Sequence, residues 1–548
     1  MTVPSEIALL TDLTAFTISG ATINCTIPSE VGILSKLELL SLSPGLSGRI
    51  PTELGYLTRL TNLKLNSNSL TGPIPSEIGL LSGLSLLAID SNALTGTIPT
   101  HIGSLSSLTE LALTSNLFVG TIPSHVGLLS KLTILSLAIN NLEGQIPTSL
   151  FSLTILQRLE LSGNSLAGTI SSLFGLLSSL SDLDMDYNNL SGSIPTEIGV
   201  LSSLTSLYLD TNSLTGLIPT QIGLLSNLTM LTLGANTLTG TIPSEFAWLD
   251  RLIGLDLSWN HFTGGIPNQI GLMSELVYLQ IDNNALDGTI PTELFSLTNL
   301  LRLELFGNSL NGTIPSQFGS LSSVAYLNFD WNLLSGSIPT EIGTARNLTY
   351  LYFDSNSLTG SIPSHIGLLS NLMVFYLDNN TITGTIPIEL GSLSGLTDLQ
   401  LHSNGLSGPI PSEIGGLTNL FRLYLDSNAL NGTIPTEFGL LSNVDDLQMY
   451  SNDLSGTIPT EFGNMQSLQY LDISDNWLTG SLPTELGRLS VLYAILLQTN
   501  RLTGSVQGIL CPFHSVGKNN GDFHYLQVDC KEVICPCCTE CCPGGPYC

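Results

Sequence analysis

The feature that most constrains this chain is a sequence repeat with a period of 24 residues. The Ile of an Ile-Pro step stands at Ile50, Ile74 and Ile98 and then at every twenty-fourth position, with Leu482 and Val506 in its place at the far end. No insertion or deletion interrupts this register. A repeat of this length predicts a solenoid, because one unit cannot close a core alone and buries its apolar side chains only against its neighbours.

The consensus of the unit is L-x-x-L-x-L-x-x-N-x-L-x-G-x-I-P-x-x-I-G-x-L. Its first half alternates apolar and polar residues and predicts a strand. Its second half holds a Gly, the Ile-Pro step and then Ser or Thr, usually followed by Glu. This order predicts that the hydroxyl residue is the N-cap of a short helical turn.

The Asn of the unit is present in 19 successive units, from Asn68 to Asn500. A carboxamide carries two donors and an acceptor with two lone pairs, so it can bond both its own turn and the adjacent coil. We therefore expect this column to be a structural ladder and not a ligand site.

These motifs resemble the plant-type leucine-rich repeat family, whose signature is the L-x-G-x-I-P segment after the Asn. The resemblance covers about 500 of the 548 residues, with departures at Ala21, Cys25, the Pro44-Gly45 pair and Ser171. It implies an α/β solenoid, a right-handed superhelix of about 21 turns of 24 residues. It also implies a parallel β-sheet on the concave face and short 3-10 or helical turns and loops on the convex face.

The pattern predicts a repeat array at 1–508, whose first 50 residues are irregular, and a Cys-rich C-terminal cap at 509–548. Because the chain opens in the middle of a unit, we expect the natural protein to extend upstream, where a targeting sequence, a membrane anchor or another domain would lie. The sequence has no apolar run of about 18 residues, so we expect no membrane insertion by this segment.

Eight of the nine cysteines crowd into the last 38 residues; they are Cys511, Cys530, Cys535, Cys537, Cys538, Cys541, Cys542 and Cys548. An even number at this density predicts a disulfide framework formed in an oxidising compartment. A zinc site with nitrogen ligands from His514 and His524 is the alternative. Seven Asn-x-Ser/Thr glycosylation sequons are compatible with an extracellular protein, secreted or at the cell surface. They are Asn24, Asn189, Asn227, Asn311, Asn347, Asn379 and Asn431.

The formal net charge is −29, with only 14 Lys and Arg residues. This balance argues against nucleic acid and anionic membrane surfaces as direct partners. The sequence contains no G-x-S-x-G, H-E-x-x-H, phosphate-loop or kinase motif, and the pair Asp184 and Asp186 has no His nearby. We therefore expect no enzymatic activity, no cofactor and no metal. A calcium site between inner-face Asp residues is an alternative that no dedicated loop supports.

In each predicted strand, the residues six, four and two positions before the Asn face away from the leucine core, into solvent. They differ from turn to turn, so the scaffold does not fix them and they are the candidate ligand contacts. The stretch from Tyr326 to Asp426 is the richest in Tyr and Asp. The candidates are Tyr326, Asp330, Trp331, Tyr350, Tyr352, Asp354, Tyr376, Asp378, His402, Tyr424 and Asp426.

Two interpretations of these columns are open. Tyr and Trp supply rigid contact area, and interleaved carboxylates would favour a cationic partner such as a basic peptide or protein patch. Alternatively, the Asp residues only solvate an exposed edge, and stacked Tyr pairs stabilise the sheet.

The resemblance to receptor ectodomains implies an extracellular recognition module that binds a peptide, a protein or a glycan on its concave face. Three alternatives are a structural cell-surface or matrix protein, a secreted glycosidase inhibitor similar to polygalacturonase-inhibiting proteins, and an ice-binding solenoid. The last rests on Ser or Thr at 14 of the 19 positions between the Gly and the Ile-Pro step from Pro73 to Ser505. Sheet twist and the high β-propensity of Thr argue against it.

Overall fold

The computed structural model describes residues 3–20, 25–506, 509, 525–529, 533–534 and 540–542. The chain divides into two compact units, Met1–Thr263 and Gly264–Cys548. Both units repeat the same three elements, because both carry the same 24-residue pattern. In one turn, a strand at Tyr350–Tyr352 is followed by an outer strand at Ser357–Leu358 and a 3-10 turn at Ser364–Leu368.

The first unit contains a parallel sheet in which strand residues pair 24 positions apart, as Leu135 pairs with Leu159, except that Leu39 pairs with Asn62 at a separation of 23. Its strands are Ala15–Ile18, Leu39–Leu42, Asn62–Lys64, Leu86–Ala88, Glu110–Ala112, Ile134–Ser136, Arg158–Glu160, Asp182–Asp184, Ser206–Tyr208, Met230–Thr232 and Gly254–Asp256. The second unit contains a parallel sheet of the same register, as Leu327 pairs with Leu351. Its strands are Tyr278–Gln280, Arg302–Glu304, Tyr326–Asn328, Tyr350–Tyr352, Val374–Tyr376, Asp398–Gln400, Arg422–Tyr424, Asp446–Gln448, Tyr470–Asp472, Ala494–Leu496, Tyr525–Asp529 and Glu540–Cys542.

Short outer strands follow the Asn of each turn and also pair in parallel. They lie at Cys25–Thr26, Leu46–Gly48, Ser69–Gly72, Ala93–Gly96, Leu117–Gly120, Asn141–Gly144, Ser165–Thr169, Asn189–Gly192, Ser213–Gly216, Thr237–Gly240, His261–Gly264, Ala285–Leu286, Asn311–Thr313, Leu333–Gly336, Ser357–Leu358, Thr383–Gly384, Gly405–Pro409, Ala429–Thr433, Asp453–Gly456, Trp477–Ser481, Arg501–Ser505 and Val533–Ile534.

The 3-10 turns close each coil. In the first unit they are Ser5–Leu9, Ser29–Ile33, Thr52–Tyr56, Ser76–Leu80, Thr100–Ser104, Ser124–Leu128, Thr148–Ser152, Ser172–Leu176, Thr196–Val200, Thr220–Leu224 and Ser244–Trp248. In the second they are Asn268–Leu272, Thr292–Ser296, Ser316–Ser320, Thr340–Thr344, Ser364–Leu368, Ile388–Ser392, Ser412–Gly416, Thr436–Leu440, Thr460–Asn464 and Thr484–Arg488. The predicted α/β solenoid of parallel strands and short 3-10 turns is therefore confirmed.

The core of each turn lies between its strands and its 3-10 turn. Leu351, Leu358 and Ile366 are fully buried there, and the same positions are buried in the other turns except the first, where Ile7 and Phe16 are half-buried. Consecutive 3-10 turns approach closely at the Gly of each turn. A Cβ at Gly367 would lie 2.6 Å from the carbonyl oxygen of Glu389 in the next turn. Glycine allows this close contact, although Phe151, Ala247 and Phe295 occupy the same position in other turns.

The Asn column forms the predicted ladder. Asn380 Nδ2 donates to the carbonyl oxygens of Phe353, Leu377 and Asp378 at 2.9, 3.2 and 3.1 Å, and its Oδ1 accepts from the Leu358 amide at 2.9 Å. It therefore bonds its own turn and the preceding one. The residue before each Asn adopts a left-handed conformation that bends the chain, as Ser355 does with φ 52°.

The predicted N-cap role of Ser and Thr is wrong. Pro363 is the N-cap of its 3-10 turn, and Pro is the N-cap of every other described 3-10 turn except the one that Ser171 caps. The Ser or Thr is the first residue of the turn, and its hydroxyl bonds the next side chain, as Thr340 Oγ1 donates to Glu341 Oε2 at 3.2 Å. Proline has no N–H to satisfy and holds an extended backbone with φ preset, so it starts the turn without a side-chain cap.

The predicted cap lies mostly outside the described residues. So do Cys511, Cys530, Cys535, Cys537, Cys538 and Cys548, while Cys541 and Cys542 are described only in their backbone. The strand Tyr525–Asp529 continues the sheet of the second unit by pairing with Ala494–Leu496, and Glu540–Cys542 pairs with it in turn. The disulfide framework and the zinc alternative stay predictions. None of the helices in the described part of the chain has the length and hydropathy of a membrane span.

Candidate functional site

Four tyrosines on the open face of the second sheet form a continuous aromatic group, here called the tyrosine ladder: Tyr326, Tyr350, Tyr352 and Tyr376. The Tyr326 ring lies 5.5 Å from the rings of both Tyr350 and Tyr352, centroid to centroid. Tyr350 and Tyr352 are parallel within 7° at 6.5 Å, and Tyr376 meets Tyr352 edge-on at 5.1 Å. The strand register causes this, because Tyr326 pairs with Tyr350 and Tyr352 with Tyr376.

Some tyrosine hydroxyls of the ladder and its surroundings donate hydrogen bonds to carboxylates, and others do not. Tyr376 donates to Asp398 Oδ2 at 2.9 Å, and the nearby Tyr424 donates to Asp446 Oδ2 at 2.7 Å. The hydroxyls of Tyr350 and Tyr352 make no hydrogen bond within the part of the chain that the structure describes. All of these rings are half-buried, so Tyr350 and Tyr352 keep part of their surface exposed to solvent.

Two arginines that the sequence analysis missed border the ladder. The Arg302 guanidinium lies 4.1 Å from the Tyr326 ring centroid and pairs with the buried Glu304. Arg422 Nη1 lies 3.4 Å from Oδ2 of the buried Asp398. Both arginines lie six positions before the Asn of their turn, in the same column as Tyr326 and Tyr350. This position is the sequence signal that could have identified them. Each arginine is neutralised by its carboxylate.

The Asp column does not face solvent, so that prediction is wrong. Asp330, Asp354 and Asp378 are buried, and Asp426 is only 2% exposed. The strands end two residues before these positions, and the left-handed bend that follows draws the carboxylates into hydrogen bonds at the bend. Asp330 Oδ1, for example, accepts from the Asp354 amide at 3.1 Å.

Burial suppresses the charge of this column. It raises the pKa of the Asp330 carboxyl to about 10, helped by the hydrogen bond with Asp354 and by the charge of Asp354. It raises the pKa of Asp378 to about 6, an increase that the nearby His402 opposes. Burial also raises the pKa of Asp426. The column therefore attracts cations less strongly than its formal charge implies.

His402 forms a second group with Asp378 and Tyr424. Its Nε2 lies 3.4 Å from Asp378 Oδ2, and its ring lies 6.0 Å from the Tyr424 ring. His402 Nδ1 and Asp378 Oδ1 are buried without a hydrogen-bond partner among the described residues. Trp331 stands apart at the rim, 67% exposed and in the left-handed conformation.

Within the described ranges, His, Cys, Asp and Glu side chains do not gather in groups of three or more that could hold a metal ion. The calcium alternative therefore gains no support from the buried Asp column.

Five sequon asparagines are exposed, namely Asn189, Asn311, Asn347, Asn379 and Asn431. Asn227 is half-buried, and its side chain bonds the Ser202 carbonyl oxygen at 2.8 Å and Arg251 at 3.0 Å. Asn379 adjoins the candidate site, since its Nδ2 donates to Asp378 Oδ2 at 2.8 Å. Asn24 lies outside the described residues, and glycosylation stays a prediction at all seven.

Comparison with known proteins agrees with the fold and the repeat. The family profile described as Leucine rich repeat matches residues 202–262. The single-repeat profile Leucine Rich Repeat matches residues 59–81, 156–177, 179–201, 299–321, 347–369, 371–393, 395–417 and 467–489. No curated protein sequence matches the chain significantly.

Solved structures are similar over almost the whole chain. The plant peptide hormone receptor RGFR1 in complex with RGF2 is 33% identical with a TM-score of 0.84, over 95% of this chain and 91% of that one. The Arabidopsis receptor kinase HAESA, in complex with the peptide hormone IDA and the co-receptor SERK1, is 35% identical with a TM-score of 0.86, over 92% and 85%. A TDR receptor is 32% identical with a TM-score of 0.86, over 97% of both chains. The chain therefore belongs to the leucine-rich repeat family, as a recognition protein of the receptor-ectodomain type.

Proposed function

We propose that this chain binds a peptide on the open sheet face of its second unit, over the tyrosine ladder. The observation that carries the proposal is the continuous contact of four half-buried tyrosine rings on adjacent strands. Similarity to RGFR1 and HAESA, whose structures contain the peptides RGF2 and IDA, supports a peptide as the ligand. An extracellular location, secreted or at the cell surface, is part of the proposal.

The chemistry of the ladder favours contact by apolar and neutral polar groups of the peptide. Tyrosine rings held by their neighbours lose little conformational entropy on binding, which is why such residues dominate binding hot spots. The hydroxyls of Tyr350 and Tyr352 supply hydrogen bonds to peptide backbone. A basic peptide gains less here than the formal charge suggests, because Asp330 holds a proton at neutral pH and Glu304 and Asp398 already face arginines.

The test uses the full chain and a displayed random-peptide library. Peptides selected on the parent protein are measured against the triple variant Tyr350→Ala, Tyr352→Ala, Tyr376→Ala. We expect the affinity of the selected peptides to fall by at least about tenfold, since a hot-spot residue contributes about 2 kcal/mol or more.

A second triple variant is the matched control: Tyr208→Ala, Tyr470→Ala, Tyr493→Ala. These tyrosines lie outside the ladder, so peptides selected on the parent should bind this variant as tightly as the parent. If the ladder variant keeps full affinity, or if the control loses as much, the ladder is not the binding surface.

A further inference from the structure

The outer side of the first unit carries a row of large apolar residues that the scaffold does not require. The row occupies the last position of successive 3-10 turns. In nine of the eleven 3-10 turns described in the first unit, this residue is large, apolar and between 53% and 79% exposed. The row consists of Leu9, Ile33, Tyr56, Leu80, Leu128, Leu176, Val200, Leu224 and Trp248.

A hydroxyl at this position can bond the scaffold. Where the turn ends in Ser152, its Oγ donates to the carbonyl oxygens of Gly127 and Ser149 at 2.8 and 2.7 Å. Ser296 and Thr344 make the same pair of bonds in the second unit. An apolar residue loses both bonds and exposes apolar surface to water, so its presence in nine turns points to a contact that covers the row.

The row follows consecutive 3-10 turns and is interrupted at Ser104 and Ser152. A Cβ placed on Gly175 would lie 3.2 Å from Cγ2 of Val200, so the Val200 side chain reaches back over the preceding turn. At roughly 100 Å² for each half-exposed side chain, the nine expose on the order of 900 Å², and a standard interface buries about 800 Å² per partner. The row is large enough to be an interface.

Charges of opposite sign flank the row in three of its nine turns, whereas both flanks of the Leu9 turn are acidic, with Glu6 and Asp12. Glu30, Glu53 and Glu245 lie three positions before the row residues Ile33, Tyr56 and Trp248, which is one 3-10 turn earlier in the chain. Lys36, Arg59 and Arg251 lie three positions after the same row residues, on the other side of the row. Within one chain these carboxylates and cations do not pair across the row among the described residues. Lys36 pairs instead with Asp12 on its own flank, Glu53 accepts from Thr52, Glu245 accepts from Ser244, and Arg251 donates to Asn227.

We propose that this row is a homodimer interface, in which a second copy of the chain packs its own row against it about a two-fold axis parallel to the row. This axis exchanges the two flanks, so that Glu53 of one copy faces Arg59 of the other and Glu245 faces Arg251. A two-fold axis across the row would instead set glutamates against glutamates. The charge pattern therefore selects the parallel arrangement.

The test is sedimentation equilibrium of the full chain over a range of micromolar concentrations. The parent is expected to show a monomer–dimer equilibrium. The variant Val200→Ser, Leu224→Ser, Trp248→Ser should raise the dimer Kd by at least about tenfold, because the apolar contact is lost. Ser104 and Ser152 already occupy this position, so the turns accept the replacement.

The matched control is Leu272→Ser, Leu368→Ser, Leu440→Ser, which changes the same position in the second unit and should leave the dimer Kd unchanged. A charge exchange tests the geometry independently. Glu53→Lys with Glu245→Lys should weaken the dimer about tenfold, and adding Arg59→Glu with Arg251→Glu should restore it. A parent that stays monomeric at every concentration, a row variant that dimerises like the parent, or a charge exchange that does not restore the dimer would each overturn the proposal.

Discussion

The two units of this chain are built from one repeat, yet they present different surfaces. The second unit, Gly264–Cys548, holds the tyrosine ladder on its open sheet face, and only three of its ten described 3-10 turns end in a large apolar residue. The first unit, Met1–Thr263, carries the apolar row on its 3-10 turns, while its sheet face holds charged groups around Asp186. Leu, Asn, Gly and Pro are the same in both. The two surfaces therefore differ in a few columns that the shared scaffold leaves free to vary.

The largest effect should come from the Asn ladder, which the two units share. Asn236→Ala in the first unit and Asn380→Ala in the second each remove three donated bonds and one accepted bond. We expect each change to lower the local free energy of opening by about 3 kcal/mol or more, because buried backbone groups lose their partners. Hydrogen exchange around each site measures this, with Asn66→Ala, a half-buried asparagine outside the ladder, as control. A clearly smaller loss in one unit would show that the scaffolds are not equivalent.

The next largest effect is expected from a buried carboxyl group in the second unit. The pKa of Asp330 is about 10 in the folded protein, above its ordinary value of 3.8, so the folded state holds a proton that the unfolded chain releases. The stability that this group contributes is complete below about pH 4 and is lost as the pH rises towards 10.

The replacement Asp330→Asn keeps the acceptor for the Asp354 amide and cannot ionise. It should be close to neutral at pH 4 and stabilise the second unit at pH 8 by on the order of 1 to 3 kcal/mol. Urea unfolding at the two pH values measures this, with the exposed Asp250→Asn as control. A variant less stable than the parent at pH 8 would show that the buried group is charged and needed.

A smaller effect of the same sign is expected in the first unit. Burial and the charges of Asp184 and Asp210 raise the pKa of Asp186 to about 7. Asp186 is less buried than Asp330, so solvent screening reduces the gain. Asp186→Asn should stabilise the protein by on the order of 1 kcal/mol or less at pH 8 and by almost nothing at pH 4. If both variants gained the same free energy of unfolding at pH 8, burial of the carboxyl would not differ between the two sheet faces.

The smallest effect concerns Ser171, the N-cap of the one described 3-10 turn that does not begin with proline. Ser171 has φ −72° and ψ 141°, which proline accepts, and its side chain accepts from the Leu173 amide at 3.2 Å. Ser171→Pro removes this cap but restricts the unfolded chain, so the two contributions nearly cancel. We expect a change in unfolding free energy within about 0.5 kcal/mol. A larger loss in denaturant unfolding would mean that the serine cap matters more than the proline that replaces it elsewhere.

The repeat predicted the fold because its signals are local and recur in every turn. The Asn ladder followed from the chemistry of one side chain in a fixed register, and the contacts of Asn380 agree with it. The burial of Asp330, Asp354 and Asp378 did not follow, because alternation along a strand says nothing about where the strand ends. The left-handed residue after each Asp redirects its carboxylate, and its sequence varies among Ser, Trp and Asn.

The site was predictable only in part for the same reason. The tyrosines could be placed in neighbouring columns, but their ring angles and the bonds of their hydroxyls depend on side-chain packing. Arg302 and Arg422 were not predicted as part of the site, because only the Tyr and Asp residues of these columns were considered as ligand contacts. The division after Thr263 has no signal in the sequence, since the 24-residue register crosses it without interruption.

The constant pairing register also determines how each unit would respond to mechanical load. Within each unit, strand residues pair 24 positions apart, from Asn62–Lys64 to Gly254–Asp256 in the first and from Tyr278–Gln280 to Ala494–Leu496 in the second. A pulling force therefore detaches one coil at a time from the stack of that unit. Each detachment would release a contour length of roughly 80 Å, at about 3.4 Å for each residue. A chain held at both ends would therefore lengthen in equal steps while the coils still in the stack kept their structure.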